Sequence, residues 1–545
     1  MPTITIDGKA CAYEGKKMIL QVALENGVTL PHYCSHPGLS IVASCRICLA
    51  EVAQPNPRNN NKPELVPKLL PTCQTPAVDG MEVYTQSPKS IANQKAVMEF
   101  LLINHPLDCP VCDQAGECYL QDYSYEYGRS ESRFQEAKVK QPKKDLGPTI
   151  YLYADRCIMC SRCVRFTREV TGTGEIGVFG RGSFEQIDIF PGMALDNELS
   201  ANVADICPVG ALLDKDFLFS MRVWNLTKTA SIDGITASGD NISVETNEGR
   251  IYRVKPRTNL DVNKWWISDE VRYGWKFVHR EDRLRSPARL MQGSQAECDW
   301  NKAYAAACDL LRGAAKDGGP GALGLIVSPM LPCEEAYLLT KLVGRLDPRA
   351  TVAVGPVPRQ GEDKTFPGGY TITAEKAPNA RGVRRAASQL VDEVLDFDAM
   401  LAKLGDKSSG LKTVIVTGNY PSEWVTPELT KALAGKKLIV IDTLPSALTA
   451  KADVVLPGAT WVEKAGTFEN HKGRLQAFAQ AIPVIELAKS EGQIALDLAH
   501  ACGLAPQTKY DAAALRHEMG DAFATDVHLP PTSAAAEPEM QYAEL

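Results

Sequence analysis

Residues 157–163 read Cys157-Ile158-Met159-Cys160-Ser161-Arg162-Cys163, and they are answered downstream by Cys207-Pro208-Val209-Gly210-Ala211. Working outward, two more groups precede them: Cys34, Cys45, Cys48 and Cys73, then His105, Cys109, Cys112 and Cys118. Twelve of the sixteen cysteines lie before position 210, and eleven of those twelve fit a spaced ligand pattern, unlike a scattered population of core thiols. The N-terminus reads straight into a hairpin (Thr3-Ile4-Thr5-Ile6, an Asp7-Gly8 turn, then Lys9 to Tyr13), with neither an apolar signal core nor an Arg-rich transit sequence. Cysteines grouped at two-residue spacings in such a chain favour metal ligation over disulfides, and a cytosolic compartment.

The third group permits a test. In the two-cluster pattern C-x2-C-x2-C-x3-C-P, the fourth cysteine of each half ligates the other half's cluster. The fourth ligand of the first half falls on Thr167, and the first three ligands of the second half fall on Asn197, Ser200 and Val203. All four missing ligands belong to one cluster and all four retained ones to the other. The reading is one 4Fe-4S cluster on Cys157, Cys160, Cys163 and Cys207, in a degenerate bacterial-ferredoxin-like domain.

In the second group, His105-x3-Cys109-x2-Cys112-x5-Cys118 supplies an imidazole where one ligand of four is missing. His105-Pro106 closes a helix expected over 91–104, with Val97, Phe100, Leu101 and Asn104 recurring at helical spacing. A neutral imidazole in place of a thiolate lowers the negative charge at a cluster and should raise its potential. In the first group, hairpin, helix (17–26, closed by Asn26-Gly27) and cysteine loop follow the order of a plant-type ferredoxin. Cys34-x10-Cys45-x2-Cys48 with a distant Cys73 suits a 2Fe-2S cluster. Tetrahedral zinc is the competing occupant of four thiolates. His32 and His36 flank Cys34, but a Rieske centre replaces two cysteines and all four are present, so they are expected to be solvated or outer hydrogen-bond donors. The stretch 55–63, rich in Pro and Asn, is expected to be an exposed excursion.

At 545 residues the chain implies several domains, and 44% hydrophobic with 23% charged residues is a globular composition. A net charge of -7 argues against general nucleic-acid or polybasic membrane binding. No apolar run of bilayer length appears, so any membrane attachment is through partners. No Gly-rich dinucleotide fingerprint stands out.

From about residue 221 the composition shifts, with Trp224, Trp265, Trp266 and Trp275, then β-rich runs at 323–327, 412–417 and 437–441 separated by helical stretches. This is an α/β pattern. Ala452-Asp453-Val454-Val455-Leu456-Pro457-Gly458, with Gly466-Thr467-Phe468-Glu469-Asn470 and Gly473-Arg474, resembles the molybdopterin oxidoreductase superfamily. The region is short for that catalytic domain, and residues 229–242 have no cysteines for its leading cluster. It is therefore read as a scaffold, with no molybdopterin expected. Cys11, Cys298, Cys308, Cys333 and Cys502 are read as packed or surface thiols.

Taken in order, the motifs resemble the iron-sulfur G subunits of bacterial NADH:quinone oxidoreductase, respiratory complex I. The carrying residues are Asn104-His105-Pro106-Leu107-Asp108-Cys109-Pro110-Val111-Cys112-Asp113-Gln114-Ala115-Gly116-Glu117-Cys118, Arg156 through Arg165, and Asp205-Ile206-Cys207-Pro208-Val209-Gly210-Ala211-Leu212, with the first cysteine group. The resemblance is specific over 1–220 and looser to about 480. It implies a non-catalytic electron conduit within an NADH dehydrogenase, with one 2Fe-2S and two 4Fe-4S clusters. NADH and FMN would sit on a partner subunit, and the other partners would be the iron-sulfur subunits of the quinone arm. The hetero-oligomer would be peripheral on the cytoplasmic side of the inner membrane. Its fold class would be multidomain α+β and α/β. The expected domains are 1–86 (2Fe-2S, ferredoxin-like), 87–145 (His/Cys3 cluster), 146–220 (4Fe-4S, ferredoxin-like), 221–520 (molybdopterin oxidoreductase-like scaffold) and 521–545 (disordered tail). Competing readings are the electron-transfer subunit of an NAD-linked hydrogenase or formate dehydrogenase, and a zinc-stabilised assembly protein.

Overall fold

The computed structural model describes residues 1–525 and 527–529. Contacts divide the described residues into two units, 1–226 with 366–370, and 227–365 with 371–529.

The first unit opens with β1 (Thr3–Ile6) and β2 (Lys9–Ala12), antiparallel with Thr3 opposite Ala12 and Ile6 opposite Lys9. Asp7 (φ 46°) and Gly8 (φ 86°) form the turn; positive φ at both central positions matches the twist of the strands. Helix α1 (Ile19–Glu25) buries Ile19, Leu20, Val22 and Ala23. It ends in a Schellman arrangement, Gly27 N–H donating to Leu24 O and Val28 N–H to Ala23 O, which Gly27 permits at φ 66°. Strands β3 (Leu49–Asn56), β4 (Lys62–Leu65), β5 (Leu70–Pro71) and β6 (Glu82–Tyr84) complete the sheet in the order β2-β1-β6-β3-β4, with β5 beside β3. The Pro- and Asn-rich excursion is the exposed tip of the β3–β4 hairpin. Cys48 and Cys73 belong to this domain's core with Ile4, Ile6, Val52 and Val83.

Helix α2 (Pro88–Leu102) is capped by Ser87 Oγ accepting from Ser90 N–H. Its buried face differs from the expected apolar one: Ser90, Gln94 and Met98 face inward, and Phe100 is 71% exposed. The reason is polar. Ser90 Oγ donates to Tyr84 O and accepts from Glu51 N–H, and Gln94 donates to Thr85 O, so hydrogen bonds to the sheet select the face. The last carbonyls, Leu102 O and Ile103 O, accept from Lys138 Nζ. Helix α3 (Tyr119–Tyr127) follows Cys118.

The third module contains β7 (Lys143–Asp145), β8 (Ile150–Tyr153), helix α4 (Arg162–Arg165), the hairpin β9 (Ile176–Phe179) and β10 (Gln186–Ile189), α5 (Asn202–Ile206) and β11 (Leu212–Asp214). Its three-stranded sheet runs β11-β8-β7. One cysteine loop follows β8 and Cys207 follows α5.

The second unit starts with a three-stranded antiparallel sheet, Thr227–Ile232, Asn241–Asn247 and Arg250–Pro256. An eight-stranded sheet follows, whose six strands Val454–Pro457, Lys437–Asp442, Thr413–Thr417, Leu323–Val327, Thr351–Val354 and Val394–Leu395 are mutually parallel, with an antiparallel hairpin (288–297) at one edge. Its central strands are buried throughout, as expected when helices cover both faces. Helices Trp300–Gly318, Cys333–Leu346 and Glu491–Ala501 build one core, and Phe397–Gly405 with Pro427–Ala432 the other. The expected disordered tail begins too early. Asp521–Ala524 is helical with Phe523 buried against the core, and His528 donates its N–H to Leu475 O. Residues 530–545 lie outside the described residues.

Candidate metal centres

At the first centre Cys34, Cys48 and Cys73 are buried and Cys45 half-buried. The Cys34 thiol is within hydrogen-bond reach of those of Cys45 and Cys73, and Cys48 of Cys73. Ala43 (φ 50°) and Arg46 (φ 62°), both non-glycine residues in the left-handed region, bracket Cys45, so the loop holds local strain where it wraps the thiols. The backbone N–H groups of Ser44 and Cys45 reach the Cys34 sulfur. Cys48 is pulled down to about 7, chiefly by the hydrogen bond from Cys73. The flanking histidines are not solvated. His32 and His36 are 9% and 6% exposed, His32 Nδ1 pairing with Leu30 O and His36 Nδ1 accepting from Gly38 N–H. Burial pushes the His32 imidazole down to about 4.

At the second centre Cys109 is exposed on a short turn, while Cys112 and Cys118 are buried. Backbone N–H groups of Leu120 and Gln121, in the first turn of α3, reach the Cys118 sulfur; burial outweighs them and raises the thiol to about 12. The His105 imidazole is pushed down to about 4, first by burial and then by the nearby Arg156 and Lys138 cations. It is therefore neutral at neutral pH, the form in which it can ligate.

At the third centre Cys157, Cys160, Cys163 and Cys207 line one cavity with Leu152, Ile187 and Leu212. Met159 (φ 53°) and Ser161 (φ 60°) turn the loop so that its amides face inward. Met159 N–H donates to Cys157 Sγ at 3.3 Å, and amides of Val209, Ala211 and Leu212 reach Cys207. Burial raises all four thiols. A metal must then displace their protons, so ligand ionisation is coupled to metal binding. Four thiols around an apolar cavity, with N–H donors aimed at the sulfurs, suit a polynuclear cluster. Among the described residues no three His, Cys, Asp or Glu side chains converge as a single ion requires; in a 4Fe-4S cluster each of the four ligands attaches to a different iron.

The positions of the lost second ferredoxin cluster are filled. Thr167, Asn197, Ser200 and Val203 are all buried. Asn197 donates to Glu175, Ser200 Oγ pairs with Thr149 Oγ1, and Thr167 Oγ1 donates to Val164 O. The hydrogen-bonding groups there satisfy one another where a cluster would stand.

The centres are joined by contacts that spacing alone does not indicate. Arg156, 2% exposed, forks onto Asp108 (3.1 and 2.8 Å) and donates to Gly210 O, tying the second centre to the third. Tyr119 N–H donates to Pro208 O across the same boundary. Gly210 lies so near Cys112 that a Cβ there would be 2.2 Å from its Sγ. Between the first and second centres, Tyr33 OH donates to Met98 Sδ and its ring packs on Tyr123.

In the second unit, two places were open to a cofactor. The segment 227–268 has no cysteine. Its turn is closed instead by the buried Asp233 carboxylate, which accepts from Ile235 N–H, Thr236 N–H, Thr236 Oγ1 and Ser238 Oγ. In an open α/β sheet, ligands bind beyond the carboxyl ends of strands where the winding reverses. Here that is between Leu323–Val327 and Thr413–Thr417. Met330, Ala377 and Tyr420 pack together there, Tyr420 stacks on Trp424, and Asp442 takes hydrogen bonds from Asn419 N–H and Trp424 Nε1. Side chains of the chain itself fill the crevice, an arrangement that does not fit a pterin. Of the remaining thiols, Cys11, Cys308, Cys333 and Cys502 are buried and Cys298 half-buried.

Fold and centres together define a class: iron-sulfur proteins whose ferredoxin-like domains precede an α/β domain of the molybdopterin oxidoreductase type. Family models agree segment by segment. A 2Fe-2S iron-sulfur cluster binding domain matches 1–88 and an NADH-ubiquinone oxidoreductase-G iron-sulfur binding region 94–133. The NADH-quinone oxidoreductase subunit 3 ferredoxin-like domain matches 147–213, an NDSU1/NuoG-like 4Fe-4S domain 226–276, and molybdopterin oxidoreductase 398–501. The fourth match spans the segment in which Asp233 stands and cysteine is absent.

The chain is a homologue of the G, or 75–78 kDa, iron-sulfur subunits of NADH-quinone oxidoreductases. It is 43% identical over 302 residues to the mitochondrial 78 kDa subunit of NADH-ubiquinone oxidoreductase of Neurospora crassa, covering 55% of this chain and 39% of that one. Against the 75 kDa subunit of Reclinomonas americana it is 40% identical over 304 residues (56% and 42%). Against the NADH-quinone oxidoreductase G subunit of Rickettsia felis it is 35% identical over 346 residues (64% and 49%). The matched region thus spans less than half the length of these relatives.

Proposed function

We propose that this chain is a one-electron conduit of an NADH:quinone oxidoreductase, receiving electrons from an NADH- and FMN-binding partner and passing them toward the iron-sulfur subunits of the quinone arm. Cys34, Cys45, Cys48 and Cys73 would hold a 2Fe-2S cluster. His105, Cys109, Cys112 and Cys118 would hold one 4Fe-4S cluster, and Cys157, Cys160, Cys163 and Cys207 another. The observation that carries the reading is the packing of all three ligand sets in one unit, with Arg156, Asp108 and Gly210 bridging neighbouring centres. No molybdopterin is invoked, because the crevice of the α/β domain is self-filled.

Bound clusters supply the one-electron chemistry. The polypeptide excludes water, directs N–H groups at the sulfurs of Cys34, Cys118, Cys157 and Cys207, and keeps His105 neutral. None of these groups needs to move a proton. Among the described residues no helix is long and apolar enough to cross a membrane. The placement we propose, from the likeness to the relatives' subunits, is peripheral, on the cytoplasmic side, held through partner subunits.

Anaerobic purification followed by low-temperature EPR tests the reading. One 2Fe-2S and two 4Fe-4S signals on reduction are expected. A colourless protein holding zinc alone would overturn it, and a bound pterin or a hydrogen-activating metal would move the assignment to the formate dehydrogenase or hydrogenase readings.

A further inference from the structure

Helix α4 and the π-turn that continues it (Phe166–Thr171) carry three side chains directed at the loop of the first centre. Arg165 donates to Cys34 O and Ser40 O, and at 3.4 Å to Cys160 O. Arg162 donates to Ser35 O and to Ile206 O. Glu169 accepts from Ser40 N–H and Ser40 Oγ. One guanidinium thus touches the backbone of a first-centre ligand residue and of a third-centre ligand residue.

Both arginines are buried, at 8% and 5% exposure, and among the described residues neither forms an ion pair with a carboxylate. Their partners are carbonyls, with Ser161 Oγ a further acceptor for Arg165. Burying a cation without an anion costs several kcal/mol. The guanidinium of Arg165 instead sits on the carbonyls of two residues of the ligand sets, Cys34 and Cys160. The cation therefore lies against the backbone of both ligand sets at once, where bound clusters would supply the missing negative charge.

Resting on the ligand assignment above, we propose that Arg165 is a positioning and potential-setting residue shared by the first and third clusters. Its fork fixes the 34–40 loop against the Cys157–Cys163 loop. Its charge stabilises the added electron on either cluster, so both potentials rise together. Exchange between the two centres is then one electron lost by the first and one gained by the third, with no bond broken and no proton moved. The shared cation keeps their difference in potential nearly independent of its own contribution.

The test is an EPR-monitored redox titration of the full chain, purified anaerobically with its clusters. Arg165→Met should make both the first- and third-centre signals harder to reduce by about tenfold, about 59 mV for one electron, with the second-centre signal unmoved. Arg165→Lys should shift both by less. Glu169→Gln, which removes a half-buried negative charge without touching the core, should shift both the opposite way, by about threefold. It decides the matter if Arg165→Met fails to hold clusters. Signals present but unmoved, only one of the two moving, or Lys behaving as Met would each overturn the proposal. Absent signals in the unaltered chain would instead overturn the ligand assignment.

Discussion

Replacing Gly210 by alanine adds one methyl group where the third centre meets the second. The new Cβ would lie 2.2 Å from Cys112 Sγ and 3.1 Å from Gln114 Cβ. Ordinary non-bonded contacts begin at about 3.5 Å, so the overlap with sulfur is roughly 1.3 Å. A free thiol could rotate away, but a sulfur bound to iron cannot. Relief must come from displacing Cys112 as a ligand or from withdrawing the 208–211 segment, which pulls on Cys207. Overpacking of this kind costs about 1–3 kcal/mol where neighbours can shift, and more where they are fixed. Iron and sulfide content, low-temperature EPR and thermal melting of Gly210→Ala should show the second-centre signal lost or altered, the third perturbed and the first intact. Three signals at full intensity with an unchanged Tm would refute the claim that these centres share a rigid boundary.

His105→Cys should keep the second cluster and lower its potential, because a thiolate brings the charge that the imidazole spares; an unchanged titration would contradict His105 as a ligand. Lowering the pH should loosen the first unit between about 6.5 and 4. The folded His32 is held at about 4, below its unfolded value, so its stabilising contribution is complete above about 6.5 and disappears as pH falls toward 4, by up to about 3 kcal/mol. Thermal melts at stepped pH check this, and His32→Gln should make the profile shallower, the remaining slope coming from His36 and His105, which burial also depresses. In the second unit, Lys464 donates to Glu335 and Glu491 with all three side chains buried, so Lys464→Met strands two carboxylates and should cost about 3–5 kcal/mol by denaturant unfolding. A loss under about 1 kcal/mol would show the triad to be less tightly packed than described.

What was legible in the residues followed short-range rules. Asp7-Gly8 specified a hairpin because only such residues tolerate two positive φ angles, Asn26-Gly27 specified the end of α1, and the runs 323–327, 412–417 and 437–441 became central strands because both their faces are apolar. The deletion pattern Thr167, Asn197, Ser200 and Val203 told which cluster was lost, but not that these residues fill its place with hydrogen bonds. The inward face of α2 was missed because Ser90 and Gln94 bond to the sheet, which hydrophobic periodicity cannot register. Arg162 and Arg165 were visible only as motif neighbours. Their importance depends on a loop some 125 residues earlier in the chain, a distance no local pattern spans. The burial of His32 and His36 was not legible for the same reason: their desolvation comes from segments remote in sequence.

The uneven distribution of cysteine ligands has a consequence for how the protein is made. Every thiol proposed to hold iron lies before residue 208, while the Asp233 turn and the doubly covered sheet hold themselves together with hydrogen bonds and apolar cores. A cell short of iron would accordingly produce a chain whose later half is finished and whose earlier half waits for delivery of its metal.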